Sequence, residues 1–272
     1  MVRFLILTLI CTISFASSAR ETAALFMGKE AYESQRNLVS ILFKDDKDFE
    51  DFEDGSIDLV KVLETLKDNG LLQLFFPETK SIEITFKANE RPLLFLRVIN
   101  ESLQAMGYNY YLTKSISKDS SEILWKIGIT TQHLVDPIIF AKQVQARGAK
   151  VVKIEREDEA SWVYRIDTHG AKPQVSQFEH DVDIDLNKPI KPYWIDVSNA
   201  SVMILLAKPA DRWFPQIVFF DEALQIIEDV RMEDFKSRIQ LTIPEHALFA
   251  KVEDRYSLDN IKRGLTLYLK SR

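Results

Sequence analysis

Four histidines, His133, His169, His180 and His246, are the side chains best suited to acid–base or metal chemistry near neutral pH. They fall in different predicted loops, and none stands in an H-x-x-x-H or H-E-x-x-H spacing. There is no G-x-S-x-G nucleophile elbow and no phosphate-cradling glycine loop. The nearest approach to a metal set is His180, Asp181, Asp183 and Asp185, since alternate residues of an extended segment share a face. A Ca²⁺ site needs about six to eight oxygens and a tight turn, so these acids read as the solvated side of a linker. With 41 acidic residues, no glycosidase-type carboxylate pair can be picked out, because the spacing that defines one is spatial. Cys11 is the only cysteine. It lies in an apolar leader, and the bulky Leu9 and Ile10 before it do not fit a lipid-attachment signal. The rest of the chain therefore has neither a thiolate nucleophile nor a disulfide framework. A contact chemistry is better supplied: Arg212, Trp213 and Phe214, in KPADRWFPQ between two predicted strands, combine the residue types that anchor interfaces. Trp213 serves either as such an anchor or as a plug folded back into the core.

The elements that must position these residues come in two kinds. The middle of the chain repeats with a period of about 40 residues. Each unit reads helix, glycine, strand, polar turn, strand. The first is DLVKVLETLKD, Gly70, LLQLFF, the turn PETK, and SIEITFKA. The second runs from PLLFLRVINESLQAM through Gly107 to YNYYLTKS and EILWKIGIT, and the third from PIIFAKQVQAR through Gly148 to AKVVKIE and SWVYRID. Leu59, Leu63 and Leu66 share a helical face, as do Leu96, Ile99, Leu103 and Met106. Asp136 before Pro137 predicts an N-cap, and the three glycines stand where a left-handed residue ends a helix. Trp125 and Trp162 alternate with polar neighbours and are predicted core. From Tyr193 onward about seven short alternating segments predict an antiparallel sandwich. The fold class expected is α+β: three consecutive αββ units over 56–168, a linker with at most one edge strand over 169–192, and a β-sandwich over 193–272. A helical lead and a solvated acidic loop fill 20–55.

The N-terminus has the layout of a secretory signal: Arg3, a short apolar run from Phe4 to Phe15, then small Ser17 and Ala19 at the −3 and −1 positions. This predicts a signal peptide over 1–19, a mature chain starting at Arg20, and a periplasmic protein. The net charge of −6 gives no basic footprint for nucleic acid, and 46% apolar residues is ordinary for a globular chain.

SIEITFKANERPLLFLRVINESLQAMGYNYYLTKS, continued by EILWKIGITTQHLVDPIIFAKQVQARGAKVVKIEREDEASWVYRID, resembles the short N-terminal domain shared by secretins and TonB-dependent receptors, over roughly 78–168. The resemblance implies a periplasmic domain that makes protein–protein contacts, often in ring assemblies. The chain lacks the long barrel region of those families, so no pore function carries over. FPQIVFFDEALQIIEDV with IQLTIPEHALFAKVED is similar, as fold-level analogy only, to the β-sandwich of the maltose-operon periplasmic protein family. The function expected is a non-catalytic scaffold or assembly protein without cofactor, docking to an envelope protein complex such as a secretion, pilus or flagellar machine. Peripheral membrane association and oligomerisation stay open. The rivals are a glycan-binding module stacking sugar on Trp213 and a hydrolase with acidic catalytic residues.

Overall fold

Apolar residues spaced three and four apart set the helices, and alternation sets the strands. The structure is a computed structural model that describes residues 18–51 and 55–272. Residues 1–17 of the expected signal peptide, and 52–54 of the acidic loop, lie outside the described residues. The lead is three short helices: α1 (Ala19–Met27), α2 (Lys29–Ser34) and α3 (Arg36–Leu42). The acidic loop is solvated as its charge suggests, with Asp45, Asp46, Asp48 and Glu50 exposed. It carries a 3₁₀ turn, Asp46–Phe49, and buries Phe49.

Next come α4 (Leu59–Asp68), β1 (Phe75–Ala88), α5 (Pro92–Ala105), β2 (Leu112–Lys118), β3 (Ile123–His133), α6 (Pro137–Gln145), β4 (Lys150–Arg156) and β5 (Ser161–Asp167). Asp58 and Asp136 cap α4 and α6 with their carboxylates, and Gly70, Gly107 and Gly148 all have positive φ, as the spacing requires. The five strands form one sheet, ordered β2-β3-β1-β5-β4, in which only β1 and β5 are parallel.

The first repeat departs from expectation. LLQLFF and SIEITFKA do not make a hairpin about PETK; the segment is one long strand. Phe75 pairs with His133 and Lys80 with Thr131, so Pro77, Glu78 and Thr79 are an outward bulge against an unbroken partner. A bulge tolerates a proline that cannot donate to the ladder. Only the later two repeats have a full helix and strand pair.

One sheet face packs on the helices through Ile84, Phe86, Trp125, Ile127, Trp162 and Tyr164, all buried. Burying side chains of this size contributes about 1.5–3 kcal/mol each. The other face is polar. Glu83 lies 3.4 Å from both Lys114 and Lys126, and Glu122 lies 2.8 Å from Arg165.

The second body holds β6 (Asp183–Asp185), β7 (Tyr193–Asp196), β8 (Ala200–Ala207), β9 (Pro215–Phe220), β10 (Ile226–Arg231), β11 (Arg238–Thr242), β12 (Phe249–Asp254) and β13 (Leu265–Ser271). Two four-stranded antiparallel sheets, β10-β9-β12-β7 and β11-β8-β13-β6, bury Ile217, Phe219 and Val252 against Met203, Leu205 and Leu267. All seven segments expected to be strands are strands. The span 169–192 is less of a linker than its composition suggests. Its one strand, β6, pairs with β13, and Ser176 bridges to Ile195. The chain also approaches itself too closely for side chains at two turns. A Cβ on Gly148 would run into the Gly170 carbonyl oxygen, and one on Gly264 into that of Leu186.

Candidate functional site

Three loops meet at one end of the sandwich: 208–214 between β8 and β9, 232–237 between β10 and β11, and 255–264 after β12. Backbone bonds knit them together. Lys236 N–H donates to Trp213 O (2.8 Å), Arg255 N–H to Phe214 O (2.9 Å) and Arg212 N–H to Asn260 O (3.2 Å).

Asp254, only 6% exposed, organises the junction. Its Oδ2 accepts the Phe214 N–H (2.7 Å), and its Oδ1 accepts from Tyr256 N–H (2.9 Å), Ser257 N–H (2.9 Å) and Asn260 Nδ2 (3.0 Å). Four donors on one carboxylate fix where Phe214 and Tyr256 emerge. Asp254→Ala leaves these donors unpaired. It is expected to cost about 2–3 kcal/mol in urea unfolding and to raise amide exchange first in 212–214 and 255–260. An unchanged exchange pattern there would contradict this role.

The surface so held carries two guanidiniums and two exposed rings. Arg212 lies 5.5 Å from the Phe235 ring centroid, and Arg255 5.5 Å from that of Tyr256. Phe214 meets Tyr256 edge to face at 5.1 Å. Phe235 is 56% and Tyr256 64% exposed. Exposed aromatics beside arginine, on loops anchored to a sheet, have the composition of an interface hot spot.

The three residues expected to bind are thus separated. Arg212 is exposed and Phe214 half-buried at the patch. Trp213 is fully buried between the sheets, and its Nε1–H donates to Glu253 O (3.1 Å). It is the plug and not the anchor, because its indole fills the end of the sandwich core and satisfies its N–H there. Sugar stacking on Trp213 is excluded with it. Phe235, Arg255, Tyr256 and Asp254 were missed. Only the Asp254-x-x-Ser257 turn spacing could have pointed to one of them.

The histidines stay apart. His133, which ends β3 and is not in the loop expected for it, His169 and His246 are exposed and His180 is half-buried; the last three lie in separate connecting segments. No group of three metal-ligating side chains occurs among the described residues. The acids of the 181–185 run tie β6 down. Asp181 accepts from Ser271 N–H (3.2 Å) and its hydroxyl (2.5 Å), and Asp185 pairs with Lys208 and Thr266. The hydrogen bonds from Ser271, and those from Lys208 and Thr266, hold the respective carboxyls below the usual range.

A second feature joins the two bodies. The polar stripe Arg97, Asn100, Glu101 and Gln104 lies on one face of α5, and with the 174–194 segment it lines a cleft of about 730 Å³. Arg97 stacks 3.6 Å from the Trp194 ring centroid, donates from Nε to Glu101 Oε1 (2.7 Å), and from Nη2 to Gln174 O (3.1 Å). Arg147 donates to Glu101 O (3.1 Å), with its Nε 3.7 Å from Glu101 Oε2. Tyr193 Oη donates to Asn187 O (2.5 Å), and burial, then the Asp211 carboxylate, pushes its phenol up to about 12.

No helix among the described residues is long and apolar enough to cross a membrane. Comparison with protein-family models finds no matching family, and searches of curated proteins and of solved structures find no match.

Proposed function

We propose that this protein is a non-catalytic docking component of the cell envelope that binds a protein partner through Arg212, Phe214, Phe235, Arg255 and Tyr256. The single observation that carries the reading is that patch. Its two exposed rings are held by a buried carboxylate and by arginines, an ordering that lowers the entropy lost on binding. The export-like leader and the resemblance of 78–168 to secretin N-terminal domains support placing the partner in a periplasmic assembly. A second reading, a small-ligand module, rests on the cleft between α5 and 174–194. Lys188 and Lys191 at its rim make no ion pair among the described residues.

The test is a photo-crosslinking side chain placed at Phe235, at Tyr256, and at exposed Ser117 on β2 as control, in the native envelope. The first two positions should trap one and the same protein, and Ser117 should not. Truncating an interface anchor commonly costs about 2 kcal/mol, so Phe235→Ala with Tyr256→Ala should weaken binding of that protein by roughly a hundredfold or more. Unchanged binding by a double variant with wild-type melting would sink the reading. Binding lost only on changing Lys188 and Lys191 would favour the cleft.

A further inference from the structure

We infer that the leader is removed between Ala16 and Ser17, upstream of the Ser17–Ala19 pattern, because the folded body uses Ser18 and Ala19. This rests on the export reading.

Ser18 is the N-cap of α1 in a complete capping box. Its hydroxyl accepts the Glu21 N–H (3.1 Å), and its own N–H donates to Glu21 Oε2 (3.0 Å). Ala19 is fully buried, and its N–H donates to Asp46 Oδ1 (2.9 Å), which ties the start of α1 to the 3₁₀ turn. The helix these residues start belongs to the core: Ala23 and Phe26 are buried, and Phe26 lies 5.0 Å from the Trp162 ring.

A cut after Ala19 would delete the cap, the buried methyl and the bond to Asp46. It would also put the new ammonium of Arg20 at the positive end of the helix dipole, where a cation is unfavourable. Ser14, Phe15 and Ala16 offer another small-x-small pattern, directly after the apolar run. Cleavage there keeps Ser17, Ser18 and Ala19. The step is hydrolysis by an envelope leader peptidase: water gives its hydroxyl to the Ala16 carbonyl carbon and its proton to the Ser17 nitrogen.

The experiment is intact-mass measurement and N-terminal sequencing of the full chain recovered from its native envelope. The expected first residue is Ser17. Any other processed start, Arg20 above all, overturns the inference and leaves export standing. A chain still beginning at Met1 overturns export and the inference with it. A variant pair gives an independent reading. Ala16→Leu blocks the −1 position and should accumulate precursor, whereas Ser17→Leu, at −3 of the alternative site, should be processed as wild type. The reverse result overturns the inference. Chains made to begin at Ser17 and at Arg20 should also differ, the shorter melting roughly 3–6 °C lower. Equal melting would remove its physical basis.

Discussion

Replacing Trp213 with alanine lowers the unfolding free energy by about 3–5 kcal/mol, the range for removing a large aromatic from a packed core. The indole is fully buried in the core cluster that also holds Ile217, Phe219 and Leu265. Its loss opens a cavity at the end of the sandwich and leaves the Glu253 carbonyl without its N–H donor. Trp213→Phe restores most of the volume but not that bond, and is expected to cost about 1–2 kcal/mol. Urea unfolding followed by near-ultraviolet circular dichroism measures both. A loss below about 1 kcal/mol for alanine would mean the side chain is not the plug described. Because Trp213 joins Arg212 to Phe214, its removal should also abolish the proposed docking, whereas Phe235→Ala should weaken it with stability unchanged. That contrast separates support of the patch from contact by it.

Glu101→Ala should cost about 3 kcal/mol, the lower end for breaking a buried ion pair. The carboxylate stands between Arg97 and Arg147, and the three side chains are only 15%, 18% and 11% exposed in the order Arg97, Glu101, Arg147. Water screens such charges poorly, so removing the acid leaves two guanidiniums facing each other. Arg97 then has reason to leave the Trp194 ring, which itself stacks on Phe220 at 5.0 Å. The expected signature is one cooperative melt resolving into two, with a red-shifted tryptophan emission, as the helical body and the sandwich uncouple. A single transition merely displaced to lower temperature would argue that Glu101 stabilises α5 alone.

Much of this architecture was legible locally. The helices could be placed because leucines three and four apart mark faces, the capping Asp136 marks a start, and Gly70, Gly107 and Gly148 mark the ends. The sandwich strands could be placed because short β-rich segments follow one another, with strict alternation at Ile239, Leu241 and Ile243 and at Leu265, Leu267 and Leu269. The PETK bulge was not legible. Four turn-like residues say nothing of whether β3 continues past them, and that pairing decides the matter. The acids of Asp183–Asp185 are exposed, as read, but their strand partner was not legible because it is Tyr268 and its neighbours, more than 80 residues on. The candidate patch was half legible. Arg212 and Phe214 were singled out from residue type and lie at its surface, but a tryptophan between strands gives no sign of which way its ring turns. Phe235, Asp254 and Tyr256 join them only through loop closure across the sandwich end.

The strand order has a consequence for how the molecule can be made. In the sheet β11-β8-β13-β6, the strand of these four that is made last, Leu265–Ser271, is an interior one, with β8 on one side and β6 on the other. Until it arrives, β8 lacks a neighbour and β6 has none at all, so the second body is an unfinished sheet with open edges. A chain delivered N-terminus first therefore completes its helical layer early and its sandwich in one late event. Over that interval its open edges need protection from other chains.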